Sequence, residues 1–327
     1  MSAASPSLRG AESPPPSTYT TVIEHSTVPM RPIECRDIEY LLGSTPVKAL
    51  LHSHGKVLII DSTVPLYVCL RSMAEYEQEF AIVYDPSSQD YVGCFDEFMF
   101  LRLLLVRDLQ SLSIPCGDYI KGQEGHLLCR VAEDCPAKDA LAIMLHQRSH
   151  RIFVWSCTRN APMGCVTKRC YLGYIAKHLR GCHRHRETKV ENIHPLRDHV
   201  SVTQTATLHE LTNILIDDDE VLLVGNDGRI SCIFNRKMVT KYVLSLLHKK
   251  VPVKLSTELS SVLNHFDTGH YARPTLPEVD NNSSLIEALP TIFLSSDGFF
   301  LAVDSEKDTR RVLCVWDVLQ HMLYHLV

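Results

Sequence analysis

The sequence predicts an α+β protein built from four copies of one small unit, arranged as two tandem pairs behind a disordered N-terminal tail. Three observations predict it: a globular composition, a block pattern that recurs four times, and a proline-rich start. The 327 residues are 45% hydrophobic and 22% charged, enough for two ordinary domains with buried cores. The 33 Lys+Arg against 38 Asp+Glu give a formal net charge of -5, so the basic field of a general nucleic-acid binder is missing.

Residues 1–35 hold Pro6, Pro14, Pro15, Pro16, Pro29 and Pro32 and no continuous apolar run. They read as a disordered Pro/Ser-rich tail, neither helix nor secretory signal. The apolar stretch from Phe98 to Val106 is interrupted by Arg102 and falls far short of the ~20 residues that span a bilayer, so no membrane partner is expected. Without a signal, the 12 cysteines are expected to be reduced thiols in strands, in a cytoplasmic or nuclear setting.

Each of the four blocks has an amphipathic helix, a β-rich run, a polar turn, a second β run carrying a cysteine, and a covering helix. The β runs are FAIVYDPSSQDYVGCF (80–95), RIFVWSCTRNAPMGCV (151–166), EVLLVGNDGRISCIF (220–234) and FFLAVDSEKDTRRVLCVW (299–316). Their cysteines, Cys94, Cys165, Cys232 and Cys314, stand 71, 67 and 82 residues apart, too far for a solenoid and right for a small α/β unit. The first helices should begin near Val64, Ala137, Thr207 and Ser284. The covering helices are FMFLRLLLVRDLQ, KRCYLGYIAKHLR, KMVTKYVLSLLHK and DVLQHMLYHLV. A sheet of about three strands under two helices leaves one face bare, so the units should pack in pairs. The blocks are 36–115, 116–187, 188–250 and 251–327.

This order resembles the four CBS repeats of the gamma regulatory subunit of AMP-activated protein kinase. The residues that carry the resemblance are KALLHSHGKVLIIDSTVPL (48–66), Ser149-His150-Arg151, Thr167-Lys168-Arg169, and Val315-Trp316-Asp317-Val318-Leu319-Gln320. The resemblance implies four CBS repeats in two paired (Bateman) modules. It also implies a non-catalytic regulatory subunit bound to a kinase alpha catalytic subunit and a beta scaffold subunit. AMP, ADP or ATP would be the regulatory ligands, and no other cofactor is required.

In that family adenine nucleotides lie between paired repeats, phosphates against His, Arg and Lys and ribose on an Asp at a helix start. Such groups suit the task, because an Arg fork or a Lys ammonium binds phosphate by charge-assisted bonds and a carboxylate accepts from two hydroxyls. The resemblance places His150, Arg151 and Lys168 at phosphate positions and Asp317 at a ribose position. Thr203 and Thr205 resemble the family's threonine-rich segment beside a nucleotide. Two plainer roles stay open: Arg151 paired with a neighbouring carboxylate, and Asp317 as a helix cap.

Several positions depart from the pattern. The ribose Asp falls on Met99 in repeat 1 and on Met238 in repeat 3, and a phosphate Arg falls on Glu79, where a carboxylate would repel phosphate. Asp96 could replace the missing carboxylate only with a shifted loop. Repeat 4 has Gly298-Phe299 for the His-Arg step. A reduced number of nucleotide sites is therefore expected, or a nucleotide-blind scaffold that only supports assembly. No P-loop, G-x-S-x-G or H-E-x-x-H motif is present, so no enzyme is expected. The basic segment 177–189 lacks the paired spacing of a zinc site and reads as a solvated linker.

Overall fold

The computed structural model describes residues 20–24, 38–51, 56–76, 78–106, 112–123, 128–147, 149, 151–178, 188–195, 199–218, 220–225, 230–268, 276–294, 298–304 and 309–324. Repeat 1 contains α1 (Ile38–Ser44), β2 (Lys56–Asp61), α2 (Leu66–Glu75), the hairpin β3 (Phe80–Asp85) and β4 (Asp90–Asp96), and α3 (Glu97–Leu105). Repeat 2 contains α4 (Cys116–Lys121), β5 (Arg130–Ala132), α5 (Ala137–His146), β6 (Arg151–Ser156), β7 (Ala161–Thr167) and α6 (Lys168–His178). Repeat 3 contains β8 (Ser201–Thr203), α7 (Leu208–Asp217), β9 (Glu220–Val224), β10 (Ile230–Asn235) and α8 (Arg236–His248). Repeat 4 contains α9 (Leu259–Thr268), β11 (Glu278–Asp280), α10 (Leu285–Leu294), β12 (Phe299–Asp304), β13 (Thr309–Cys314) and α11 (Val315–Tyr324). In each repeat the first strand runs parallel to the second, which forms an antiparallel hairpin with the third.

Within the tail assigned to residues 1–35, one short stretch is described. Thr20–Glu24 forms β1, antiparallel to β2 from Thr20↔Ile60 to Glu24↔Lys56. Thr20, Thr21, Val22 and Ile23 are all β-branched, and the open edge of β2 offers unpaired backbone groups. The first sheet therefore has four strands and the other three sheets have three. The rest of that tail, and residues 179–187 of the basic segment, lie outside the described residues.

Local signals set the helix starts. Thr207 and Glu210 form a capping box on α7, and Ser284 and Glu287 exchange the same pair of bonds on α10. Asp96 and Asn235 cap α3 and α8 by accepting from Met99 N and Met238 N.

What the sequence blocks do not show is an exchange between them. The first N–H of each early helix donates to a carbonyl in the leading segment of its partner repeat: Leu66 to Ile114, Ala137 to Thr45, Leu208 to Thr257 and Leu285 to Thr188, at 2.7–3.0 Å. The leading segment of repeat 1 thus packs on repeat 2, and α4 packs on the β3–β4 hairpin of repeat 1. Repeats 3 and 4 exchange in the same way, with Arg311 donating to Val190, Glu191 and Ile193 carbonyls and to Asn281 Oδ1.

Two further contacts close the four repeats into a ring. Sheet faces meet within each pair, through Val57, Phe80, Ile82 and Phe153 in the first and Leu222, Ile233, Phe299 and Leu301 in the second. Helical faces meet across the pairs: Phe95, Phe100 and Leu104 of repeat 1 share a core with Phe234, Val243 and Leu211 of repeat 3. Tyr171, Leu172 and Val154 of repeat 2 share another with Phe300, Leu319 and Ile292 of repeat 4. Each such side chain, fully buried, contributes roughly 1.5–3 kcal/mol. Arg236, at the start of α8, donates to the Leu215 and Ile216 carbonyls at 2.7 and 3.3 Å and lies over the Phe98 ring at 5.0 Å, joining repeat 3 to repeat 1.

Gly117 measures how tight the exchange is. A Cβ there would stand 2.6 Å from Ser62 Cβ and 3.0 Å from Ser62 O, a contact no rotamer relieves. Gly117→Ala is expected to lower unfolding free energy by about 1–3 kcal/mol in a denaturant titration. A change within about 0.5 kcal/mol would mean that the exchanged segment gives way freely.

Candidate functional site

The strand registers put the four repeats in one frame. Where the second strand of each sheet starts, beside the N-cap of the covering helix, stand Phe80↔Asp96, Arg151↔Thr167, Glu220↔Asn235 and Phe299↔Cys314. Only repeat 2 puts an Arg there. Three positions into the helix stand Met99, Cys170, Met238 and Asp317, so repeat 4 alone carries a carboxylate.

The ring brings Phe80 and Arg151 of the first set together. The Arg151 guanidinium lies over the Phe80 ring at 5.0 Å, and Phe80 meets Phe153 edge-on at 5.1 Å. Burial alone would lower the Arg151 pKa; the negative charge of Asp96, with Cys94, Cys165 and Glu79, raises it, so the side chain stays a cation. Among the described residues Arg151 Nη1 is buried and has no hydrogen-bond acceptor. Across from it, Glu79 pairs with Lys237 at 2.8 Å. Partial burial pushes the half-exposed Glu79 carboxyl up, but Lys237, Arg151 and Lys168 together bring it below its ordinary value. Glu97 behaves in the opposite way. Burial, then the charge of Glu79, pushes its carboxyl up to about 8 against the pull of Arg151 and Lys237.

Lys168 reaches toward repeat 4, its Nζ 5.7 Å from the centre of the Phe299 ring. Gly298 has φ +76, and Lys168 Cε lies 3.6 Å from where its Cβ would be. Glycine suits that left-handed backbone, while a Cβ would make only ordinary contact with the lysine. The centre is thus a cluster of Glu79, Asp96 and Glu97 from repeat 1, Arg151 and Lys168 from repeat 2, and Lys237 from repeat 3, bounded by Phe299 of repeat 4.

Of the sequence candidates, Arg151 and Lys168 meet around Glu79. His150 lies outside the described residues. Asp317 is 2% exposed and accepts from Cys314 N at 2.7 Å, so its carboxylate serves the start of its own helix. Any ribose would have to share it. Thr203 and Thr205 are exposed and bond each other at 2.9 Å. Met99 and Met238 are buried, and Asp96 is committed to the α3 cap. Glu97 and Lys237 were missed. Reading the four covering helices in one frame would have found them, since Glu97 and Lys168 both hold the first helical position and Lys237 the second.

The architecture is that of four CBS repeats in two paired modules, as the sequence predicts. It is similar to a protein from Methanocaldococcus jannaschii proposed as an archaeal homolog of g-AMPK, with a TM-score of 0.68 and 12% identity over 85% of this chain and 99% of that one. An uncharacterized conserved protein from Pyrococcus horikoshii, also 12% identical, covers 85% of this chain and 100% of its own with a TM-score of 0.48. A CBS domain protein from Pyrobaculum aerophilum complexed with AMP is 16% identical over 38% of this chain and 89% of its own, with a TM-score of 0.33. Neither of the latter two is near enough to carry weight. At 12% identity the first shows a shared fold. No protein-family model matches the sequence, and no curated protein matches it. No described helix is long and apolar enough to cross a membrane.

The raised Glu97 pKa has a pH consequence. The folded chain keeps a proton that the unfolded chain releases above the ordinary value of 4.5, so this contribution to stability is present at low pH and fades as pH rises through about 8. Glu97→Gln should therefore flatten the fall in Tm between about pH 5 and 9 relative to wild type. Superimposable curves would place Glu97 in water.

Proposed function

We propose that the chain is a non-catalytic regulatory subunit of gamma type in an AMP-activated kinase heterotrimer, associated with a catalytic alpha and a scaffold beta subunit. It would hold adenine nucleotide at the ring centre, at fewer positions than its four repeats could offer. The observation that carries this is the convergence of Arg151, Lys168 and Lys237 from two repeats, with a buried Arg151 N–H lacking an acceptor among the described residues. A phosphate supplies the acceptor such a donor needs, since a buried donor without one costs ~1–3 kcal/mol. The sequence resemblance and the fold shared with the archaeal protein support the same reading.

AMP or ADP and ATP would act by binding two states of the assembly unequally, because a ligand shifts an equilibrium only by its difference in affinity. The site would lie in a cytoplasmic or nuclear protein, with no catalytic step of its own.

A second reading, the nucleotide-blind scaffold, is favoured by one feature. Met99 and Met238 fill two ribose positions with buried apolar bulk that offers a hydroxyl no partner.

Calorimetric titration with AMP, ADP and ATP, on the chain alone and co-expressed with alpha and beta subunits, separates the two. Saturable binding weakened by about 1.5–3 kcal/mol in Arg151→Ala is expected, the scale of a charge-assisted bond. Stable recovery with both kinase chains but no heat from any nucleotide would establish the scaffold instead. Failure to recover either chain would remove the kinase assignment.

A further inference from the structure

The central cations are already facing anions. Glu79 holds Lys237 at 2.8 Å, and the carboxylates whose charge raises the Arg151 pKa are Asp96 and Glu79, both from repeat 1. Cations of repeats 2 and 3 are thus met by carboxylates of a third repeat, in a site that a chain of four similar units would otherwise leave positive. The Glu79 side chain is 46% exposed and Lys237 37%, so the pair is reachable from solvent. Asp96 is fixed by its cap bond to Met99 N, whereas Glu79 sits just ahead of β3 and makes its described hydrogen bond only to Lys237.

We propose that Glu79 is a built-in competitor for the phosphate ligand of this centre, so that an incoming phosphate binds by displacing the Glu79 carboxylate from Lys237. The inference rests on reading the centre as a phosphate site and names what regulates it.

Electrostatics gives the direction. Bound phosphate takes over the Lys237 ammonium and meets Arg151 Nη1, which has no acceptor among the described residues, while Glu79 and Glu97 repel it from the repeat 1 side. Of those two, Glu79 is held ionised by its cations and Glu97 is held largely protonated near neutral pH by burial and by Glu79 itself. The groups facing Glu97 are Glu79, Asp96, Arg151 and Lys237. Raising the pH ionises Glu97 and adds a second like charge, so phosphate binding should weaken through the range in which AMP already carries its full charge. The cluster therefore sets both the strength and the pH dependence of binding. Glutamate at this position makes occupancy conditional on moving its carboxylate away from Lys237.

The test uses the full chain with AMP and, separately, inorganic pyrophosphate as probes. Glu79→Gln keeps the shape and removes the charge, and should bind AMP on the order of 10-fold more tightly than wild type. Glu97→Gln should match wild type near neutral pH and lose the weakening that wild type shows between about pH 7 and 9. Equal or weaker binding by a folded Glu79→Gln overturns the proposal. If Glu79→Gln does not fold, Glu79→Ala takes its place: tighter AMP binding than wild type supports the proposal, and equal or weaker binding overturns it. Binding gained by Glu79→Gln where wild type shows none upholds the competitor and removes the nucleotide-responsive reading of the natural chain. Binding lost in Arg151→Ala but unchanged in Glu79→Gln does the reverse. Pyrophosphate without AMP binding in Glu79→Gln upholds the competitor and shows that the centre selects phosphate without the nucleoside.

Discussion

One hydrogen bond, made four times, organises this molecule. A helix begins with N–H groups that have no partner within it, and in α2, α5, α7 and α10 the first of these is met by a carbonyl from the leading segment of another repeat. A repeat separated from its partner would lose that acceptor and the apolar segment behind it. Pairing of sheet faces follows from the same exchange, because each leading segment ties its partner's sheet against its own.

Pairing does not satisfy the covering helices. Their apolar faces, carried by Phe100, Tyr171, Val243 and Leu319, find partners only in the other pair. With sheets joined within pairs and helices joined across them, the ring closes. Closure forces the four places where strand gives way to helix toward one point, and charged residues there meet whatever their order in the chain. Arg151, Glu79 and Lys237 come from three repeats, and no two of them are close in sequence. A guanidinium in such a place must be compensated, since burying an isolated charge is far costlier than burying a pair. Repeat 1 supplies that compensation with Asp96 and Glu79.

The repeats have diverged in a directed way. Their hairpins and helix caps use different residues for one geometry: Asp96, Thr167, Asn235 and Cys314 stand at the same cap position. The residues at the matching strand position are changed in kind, to Phe80, Glu220 and Phe299 where repeat 2 keeps Arg151. The scaffold conserves shape among its four copies while the centre has become asymmetric, with acid on one side and base on the other.

The sequence by itself determined the local architecture. Apolar alternation and helical periodicity located both strands of each hairpin and all eight principal helices, with the early helices starting within two residues of Val64, Ala137, Thr207 and Ser284. It left Asp317 open as a cap, and the Asp317 carboxylate accepts from Cys314 N at the start of its helix. These are short-range effects, written in a few neighbouring residues. The strand at Thr20–Glu24 escaped because its partner, β2, lies over thirty residues away and prolines surround it. Only the tertiary structure decided that leading segments are exchanged, that Glu97 and Lys237 belong to the centre, and that Glu79 faces a lysine from repeat 3. Coulomb forces and hydrogen bonds act through space over a few ångströms, and sequence distance carries no information about which of several dozen charged side chains will stand at that range until the ring has closed.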